Sequence, residues 1–599
     1  MSEPLTPEVA DLVGVLQAHV RTGPEREAVA FVRSDGSAPV EETLTYGQLD
    51  AAARSVAVAL AENGVRTGDR VLLLHPQGLG FVRAFLGCVY AGAVPVPAPL
   101  PGGQRHHYVR AAGIIRDAGV SLVLTGRDDL AEISAWLDES PDRVPCLAVE
   151  DAATADAGQW WRPDIDGDSL VFLQYTSGST SAPKGVMVSH SNLLHNLALI
   201  QRSTGFTRET RFGSWLPLYH DMGLIGLLLE PLYLGASATL MSPTEFLKRP
   251  VSWLRMIDRR GIHMTSAPNF AYDLCIRRLT DEQIAGLDLS RWRWACNGAE
   301  PIDARTLAAF GERLAPAGFR QEAFLPCYGM AETTLFITGS DPELPPVSRW
   351  ADAADLERNV LTPLSADPGD DPGRPAQLLA SSGTGWELDV IVVDPADHQV
   401  LADGRIGEIW VRGGSVGRGY WNNEEENERI FRAVTADGRT GFLRTGDLGA
   451  ILDGQLFVTG RIKEMLIVHG RNLYPHDIER SARLAHPSVA HLVGSVFTVP
   501  AAREEIVVVQ EVRAPGKGED FLREVTAAVR KALTAELGVR IANVVLVRPG
   551  RVSRTTSGKI QRRLMRTLFL ENAMEPLHEE LEPEIRSRYR AVEPIGAAL

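Results

Sequence analysis

The sequence predicts an α/β protein made of a large N-terminal body and a small C-terminal domain, and three observations carry that reading. Residues 1–160 alternate helical and strand-like segments, as in the Ala-rich helix at 48–63 followed by the buried run Arg70-Val-Leu-Leu-Leu74. After about residue 380 the pattern changes to short β-type runs with Gly-rich turns, at 388–393 and 407–412, suggesting a small barrel or distorted sheet to about Leu456. From Gly460 onward, strands such as 506–512 mix with an Ala/Leu helix at 521–537, which reads as a separate small α/β unit.

A chain of 599 residues has room for three to five folding units, at roughly 100–200 residues each. With 44% hydrophobic and 23% charged residues it falls among ordinary globular proteins, so disordered and fibrous classes are set aside. The net charge of −15 repels phosphate backbones and anionic lipid, which argues against nucleic acid or membrane binding as the main role. Five cysteines (88, 146, 275, 296 and 327) show no CxxC spacing, so neither a disulfide framework nor a zinc site is expected, and a reducing cytoplasm fits. The first residues lack a basic start and an apolar core. The most apolar run, 223–229, stops at Glu230-Pro231, so neither an export signal nor a membrane span is expected.

The densest chemical signal is Thr176-Ser-Gly-Ser-Thr-Ser-Ala-Pro-Lys-Gly185. It follows a buried strand at 170–175 and precedes a helix opening near Ser189 or Ser191, with Leu193, Leu194, Leu197 and Ile200 on one face. Strand, small-residue loop and helix form an arrangement used for phosphate binding. Hydroxyls, two glycines and Lys184 could cradle a triphosphate, although Pro183 and Gly185 exclude a Walker A loop. The bland alternative is a flexible polar turn. A Gly167-Asp-Ser-Leu170 string that would suit a hydrolase or a carrier attachment site runs straight into the same strand and is set aside.

The loop resembles the phosphate loop of the adenylate-forming superfamily, which includes acyl-CoA synthetases, nonribosomal-peptide adenylation domains and luciferases. Further motifs follow in the family's order. Asn297-Gly298-Ala299-Glu300 resembles the segment along one face of the adenine, and Tyr328-Gly329-Met330-Ala331-Glu332 the motif whose ring packs on the base and whose acid holds magnesium. Phe442-Leu-Arg-Thr-Gly-Asp447 resembles the ribose motif; Gly460-Arg461-Ile-Lys463-Glu464 resembles the hinge before the mobile domain. Thr555-Thr-Ser-Gly-Lys559 resembles the loop of the catalytic lysine.

The resemblance implies catalysis by Lys559, Glu332 and Lys184, with Glu332 as the magnesium ligand. It implies ATP contacts from Thr176, Ser177, Gly178, Ser179, Thr180, Asn297, Gly298, Ala299, Glu300, Tyr328, Gly329, Met330, Ala331, Asp447 and Arg461, with a hinge at Lys463. The chemistry suits these types: two anions must meet while pyrophosphate leaves, so lysines and Mg²⁺ must neutralise developing charge. Taken alone, Lys559 reads as one of a solvated basic cluster with Arg551, Arg554, Arg562 and Arg563, and Asp447 as a turn residue. Trp215, His220, Met222, Gly223 and Ser266 resemble acyl-pocket positions, with His220 a pocket wall or carboxylate gate.

Within the superfamily the chain is most similar to fatty-acyl-AMP ligases, through Ser266-Ala-Pro-Asn-Phe-Ala-Tyr272, Asn297-Gly-Ala-Glu-Pro301 and Gly470-Arg-Asn-Leu-Tyr-Pro475. The sequence turns Pro-, Asp- and Gly-rich between Pro342 and Pro375, and about residues 346–376 match the insertion of that branch. The expected layout is a large domain at 1–459, a lid at 460–570 and a charged tail at 571–599. The implied reaction takes a carboxylic acid, ATP and Mg²⁺ to acyl-AMP and pyrophosphate, then passes the acyl group to the phosphopantetheine thiol of an acyl carrier protein. Rival readings are an acyl-CoA ligase, an enzyme of the thioester half-reaction alone, and a non-catalytic nucleotide- or acyl-binding protein. The stretch 378–385 lacks a cysteine of the branch pattern, which leaves CoA open as acceptor.

Overall fold

Nine strands form the central sheet, in the order Thr384–Gly385, Phe336–Gly339, Phe324–Gly329, Trp294–Asn297, Met264–Ala267, Arg211–Ser214, Ser237–Met241, Glu27–Asp35 and Ala38–Thr45. The structure is a computed structural model, and it describes residues 9–35, 38–102, 105–176, 183–365, 376–468, 471–490, 492–501, 504–537, 541–554 and 559–590. Neighbours from Phe324–Gly329 to Glu27–Asp35 run parallel, and antiparallel strands close the edges. Parallel strands buried on both faces read as apolar runs, which is why the alternating signal in the sequence pointed to α/β. In such sheets the ligand site lies beyond the carboxyl ends of the strands. Here those ends run into Trp215–His220, Pro268–Phe270, Gly298–Glu300 and Met330–Glu332, so one edge of the sheet gathers motifs far apart in sequence.

A second, fully parallel sheet joins Val94–Pro97, Arg70–Leu74, Val120–Thr125 and Cys146–Ala148. Beside it stands an antiparallel hairpin of Leu170–Thr176 and Lys184–Ser189. This corrects the expected strand–loop–helix order. Lys184–Ser189 pairs back on the first strand, and the helix His190–Thr204 starts only afterwards, capped by the Ser189 side chain. The helix therefore follows a second strand and not the loop itself, whose residues 177–182 lie outside the described part.

Asp389–Val393, Gly407–Arg412, Leu443–Leu452 and Gln455–Arg461 make an open four-stranded antiparallel sheet with register shifts in two of its ladders, the distorted sheet of the two expected alternatives and not the barrel. Its two faces are packed separately. Ile391, Trp410 and Phe442 fill one, while Ile406, Leu448 and Phe457 meet Ala351, Leu356, Leu361 and Leu379 of the inserted segment on the other. That segment has structure of its own: Ser348–Asp352 pairs with Ala376–Ala380, and Ala353–Leu356 is a helical turn. Residues 366–375 lie outside the described part.

The small unit places Gly494–Val499, Glu505–Glu511, Asn543–Val547 and Pro576–Glu580 in one sheet. Pro475–Leu484 and Glu519–Leu537 cover one face; Arg562–Leu570 and Pro583–Tyr589 cover the other through Met565, Phe569 and Ile585. The segment expected as a tail from residue 571 thus supplies an edge strand and a helix through Tyr589. Its charged residues pair locally, as Arg590 does with Glu579 at 3.0 Å, and this charged character hid the strand in the sequence. Residues 591–599 lie outside the described part. All five cysteines are free thiols, and among the described residues no helix is long and apolar enough to cross a membrane.

One glycine fixes the junction between the central sheet and the inserted segment. Gly383 has φ +81°, and a Cβ there would lie 1.9 Å from the carbonyl of Gly339. Gly383→Ala is expected to destabilise the protein by about 3 kcal/mol, because strain and overlap with backbone both have to be relieved. Urea unfolding of the variant checks this; an unchanged midpoint would contradict it.

Candidate active site

The cleft between the carboxyl edge of the central sheet, the open sheet and the small unit has a volume of about 1670 Å³. Three groups of side chains meet in it. On the sheet side, Tyr328 follows its strand into the cleft and its Oη donates to Asp447 Oδ2 at 2.7 Å. Arg461 holds the other oxygen of Asp447, Nε to Oδ1 at 2.7 Å. The turn before Asp447 is fixed by Gly446 at φ +71° and by the Asp447 amide, which donates to Thr445 Oγ1 at 3.0 Å. Asp447 raises the Arg461 pKa, so the guanidinium keeps its charge. The aspartate of one motif, the tyrosine of a second and the arginine of a third therefore form one cluster at the ribose end of the expected nucleotide.

Glu332 is the centre of the second group. Burial pushes its pKa up, and the hydroxyl of Tyr420, 2.7 Å from Oε1, works against that rise. Lys184 lies over the Tyr420 ring, 5.0 Å from its centroid, and pairs with Glu426 at 3.4 Å. The phosphate-hairpin lysine is thereby tied to the expected magnesium carboxylate through one aromatic ring. Neither Tyr420 nor Glu426 was singled out from the sequence. The only local trace was a run of glycines, and Gly417 and Gly419 are needed because a Cβ would meet Met187 O at 3.0 Å or the Asn427 side chain at 2.7 Å. Tyr420→Phe removes a hydrogen bond to the anionic form of Glu332. Its expected effect is a roughly tenfold loss of ATP-dependent activity at neutral pH, with the acid limb moved to higher pH. A pH profile superimposable on that of the unaltered protein would contradict it.

The third group comes from the small unit. Lys559 projects into the cleft, enclosed by protein yet open to the cleft's water, where burial and Arg461 lower its pKa while Asp221, Glu300 and Asp447 oppose them. Burial raises the pKa of Asp221 and of Glu300, and Lys559 pulls both back. The Phe270 amide donates to Glu300 Oε1 at 2.5 Å. Arg562, on the same side, is spent on Glu464 at 2.7 Å and Glu479 at 2.8 Å within the small unit, so it serves that unit's own structure. Lys463 lines the cleft one residue after Ile462, whose amide donates to Gly446 O at 3.0 Å.

Among the adenine-segment residues, Gly298, Ala299 and Glu300 line the cleft, with Ala299 in the left-handed region at φ +69°. Such a conformation costs an alanine about 1–2 kcal/mol, the kind of strain that gathers at binding sites. Asn297 is fully buried behind them, with Oδ1 unpartnered. Gly329, Met330 and Ala331 line the cleft beside Tyr328. Ser177, Gly178, Ser179 and Thr180 lie outside the described residues, as does the Thr176 side chain.

Apolar side chains also line the cleft, among them Ile200, Phe206, Met222, Met264, Leu325 and Leu335, and so does Ser266. His220 lines the cleft as well, and burial together with Lys559 and Arg110 pushes its pKa down to about 3. It is therefore neutral near pH 7, in keeping with a wall or gate and not with a proton carrier. Two expected acyl contacts are packing residues instead. Trp215 stacks on Phe246 at 4.0 Å between centroids, and a Cβ on Gly223 would lie 2.3 Å from Pro217 O. The neighbouring apolar positions gave both the look of pocket residues in the sequence.

Residues 16–421 match the AMP-binding enzyme family, and residues 463–579 match the Disco-interacting protein 2-like AMP domain. The medium-chain-fatty-acid–[acyl-carrier-protein] ligase JamA of Moorena producens is 39% identical, covering 95% of this chain and 96% of the relative. The chain belongs to the fatty-acyl-AMP ligase branch of this family. The 4-hydroxyphenylalkanoate adenylyltransferase of Mycobacterium tuberculosis is 36% identical over 92% of this chain and 90% of its own length. A fatty acyl-adenylate ligase from Legionella pneumophila, solved with acyl adenylate and pyrophosphate, superimposes with a TM-score of 0.74 at 34% identity, covering 96% of this chain and 98% of that one. The fatty-acyl-AMP ligase fold is thus present across both domains, and the chain is an acid-activating ligase.

Proposed function

We propose that this fatty-acyl-AMP ligase joins a medium- or long-chain carboxylic acid to AMP in the cleft and hands the acyl group to the phosphopantetheine thiol of an acyl carrier protein. The observation that carries the reading is the meeting of Lys559 with Asp221, Glu300, Asp447 and Arg461 in a cleft lined by both polar and apolar side chains. The acid's carboxylate attacks the α-phosphorus, a new oxygen–phosphorus bond forms, and the bond to the bridging oxygen breaks with its electron pair leaving on pyrophosphate. In this scheme Lys559 balances charge on the acyl carboxylate and α-phosphate, Lys184 faces the departing phosphates, and Asp447 with Arg461 fixes the ribose. Met222, Ser266 and His220 line the path of the acid, and His220 stays uncharged beside its carboxylate.

The residues present fit a magnesium ion. A buried carboxylate lines the cleft with Tyr420 on one of its oxygens, which suits a cation that takes one protein carboxylate and completes its shell with phosphates and water. Glu332 would be that carboxylate, and the ion would supply charge neutralisation for the triphosphate.

The inserted segment supports a carrier thiol over free CoA. It packs against Tyr474 and the partly buried Ile462 and Met465, and Gln377 Nε2 donates to Asp477 Oδ1 at 2.9 Å. These contacts join it to the hinge and to the lid helix Pro475–Leu484, so turning the lid toward a thiol has to break them. Asp477→Ala is expected to raise acyl-CoA formation severalfold relative to acyl-AMP, since one hydrogen bond to a charged group is worth about 1.5–3 kcal/mol. An unchanged product ratio in a folded variant would remove the restraint from the account. Fatty-acid-dependent release of pyrophosphate tests the reaction itself, and release that ignores the acid would contradict it.

A further inference from the structure

The helix Arg105–Ala118 lies along the phosphate hairpin, and one stripe of it does the packing. Asp117 Oδ2 accepts from Tyr175 Oη at 2.5 Å where the hairpin's first strand ends. Gly113, four residues earlier, brings its α-carbon against Pro183, just before Lys184, so that an added Cβ would sit 3.5 Å from the Pro183 ring. The third position of the stripe is Arg110, three residues before Gly113 and about 4.5 Å along the axis. Its electrostatic neighbours are Tyr219 and His220, the residues leading into the cleft, and His220 feels both Arg110 and Lys559. Half-buried, it forms no ion pair with any described carboxylate. Burial lowers its pKa, as befits a cation with no anion beside it.

We propose that Arg110 is a further phosphate-binding residue of this reaction, contributed by the helix that joins two strands of the second sheet, and that it receives the leaving pyrophosphate beside the hairpin. The inference rests on the adenylation reading and adds to it a cation that no expected motif contains. When the bond from the α-phosphorus to the bridging oxygen breaks, the electron pair and the added charge settle on pyrophosphate. A planar guanidinium can donate two parallel hydrogen bonds to that anion. Lys184 then holds one side of the leaving group and Arg110 the other, while Lys559 attends the reacting carboxylate.

The experiment runs the reaction backward with inorganic pyrophosphate as the probe: preformed acyl-AMP and pyrophosphate give ATP and free acid. R110A should raise the KM for pyrophosphate roughly ten- to hundredfold, the weight of one charge-assisted contact. R110K, which keeps the charge without the fork, should recover part of that loss. Transfer of the same acyl-AMP to a phosphopantetheinylated carrier should stay within about twofold of the unaltered protein, which also shows that the variant is folded. A KM for pyrophosphate unchanged in R110A overturns the proposal. So does an equal loss in the carrier reaction, which would assign Arg110 to the pantetheine phosphate or to the fold. If the unaltered protein makes no ATP from acyl-AMP and pyrophosphate, it is the adenylation reading that fails, a result distinct from either outcome with the variant.

Discussion

Lys559→Ala is expected to lower acid-dependent ATP–pyrophosphate exchange by about 10²–10³-fold, the usual cost of removing a preorganised charge from a reaction that develops negative charge. The side chain enters the cleft from the small unit, while Asp221, Glu300, Asp447 and Arg461 surround it from the large body. The loss should fall on kcat for adenylation, and a preformed acyl-adenylate should still pass to a thiol, because no phosphorus chemistry remains in that step. The pH dependence follows from the sign of the shift. Burial and Arg461 lower the Lys559 pKa below its ordinary 10.5, so the working ammonium is lost as pH rises through a value beneath that figure. The alkaline limb of adenylation therefore lies below pH 10.5. Lys559→Arg, which keeps its charge, should retain little rate and show no such limb in the same range. Full exchange in Lys559→Ala would end the assignment of this residue.

Glu332→Gln is expected to cost roughly a hundredfold in kcat/KM for ATP at fixed Mg²⁺, with part of the loss recovered as Mg²⁺ is raised. The substitution keeps the shape of the side chain and can still accept from Tyr420, so packing alone predicts little change. What it removes is the negative oxygen that a hard cation requires. Burial raises the Glu332 pKa above its ordinary 4.5, which puts the acid limb of activity above that value: the ligand is an anion only at higher pH. The neutral amide should abolish that limb. Activity equal to the unaltered protein at low Mg²⁺ would show that Glu332 does not hold the ion.

Much of the fold could be read from the chain because its buried strands are continuous apolar runs. Arg70–Leu74, Leu170–Thr176 and Glu505–Glu511 fall within a residue or two of their expected positions. The hairpin return at Lys184–Ser189 was missed because its only sign was Val-Met-Val, too short to separate from the helix that follows. The strand Pro576–Glu580 was missed because it is a charged edge, with Glu579 and Glu580 pairing to arginines. At the site, motif residues were legible one by one, but their linkage was not. Nothing in the order of residues shows that Tyr328 donates to Asp447, or that Tyr420 stands between Lys184 and Glu332. Those contacts join segments nearly 90 residues or more apart and exist only after the sheets have packed.

The most direct test of the central claim follows a labelled fatty acid with ATP and Mg²⁺ through three vessels: no acceptor, CoA, and a phosphopantetheinylated carrier protein. Acyl-AMP is expected to accumulate in the first, to persist in the second and to move onto the carrier in the third. Acyl-CoA formed as fast as acyl-carrier would contradict it, because the inserted segment's grip on Tyr474 and Asp477 would then have no part in choosing the thiol.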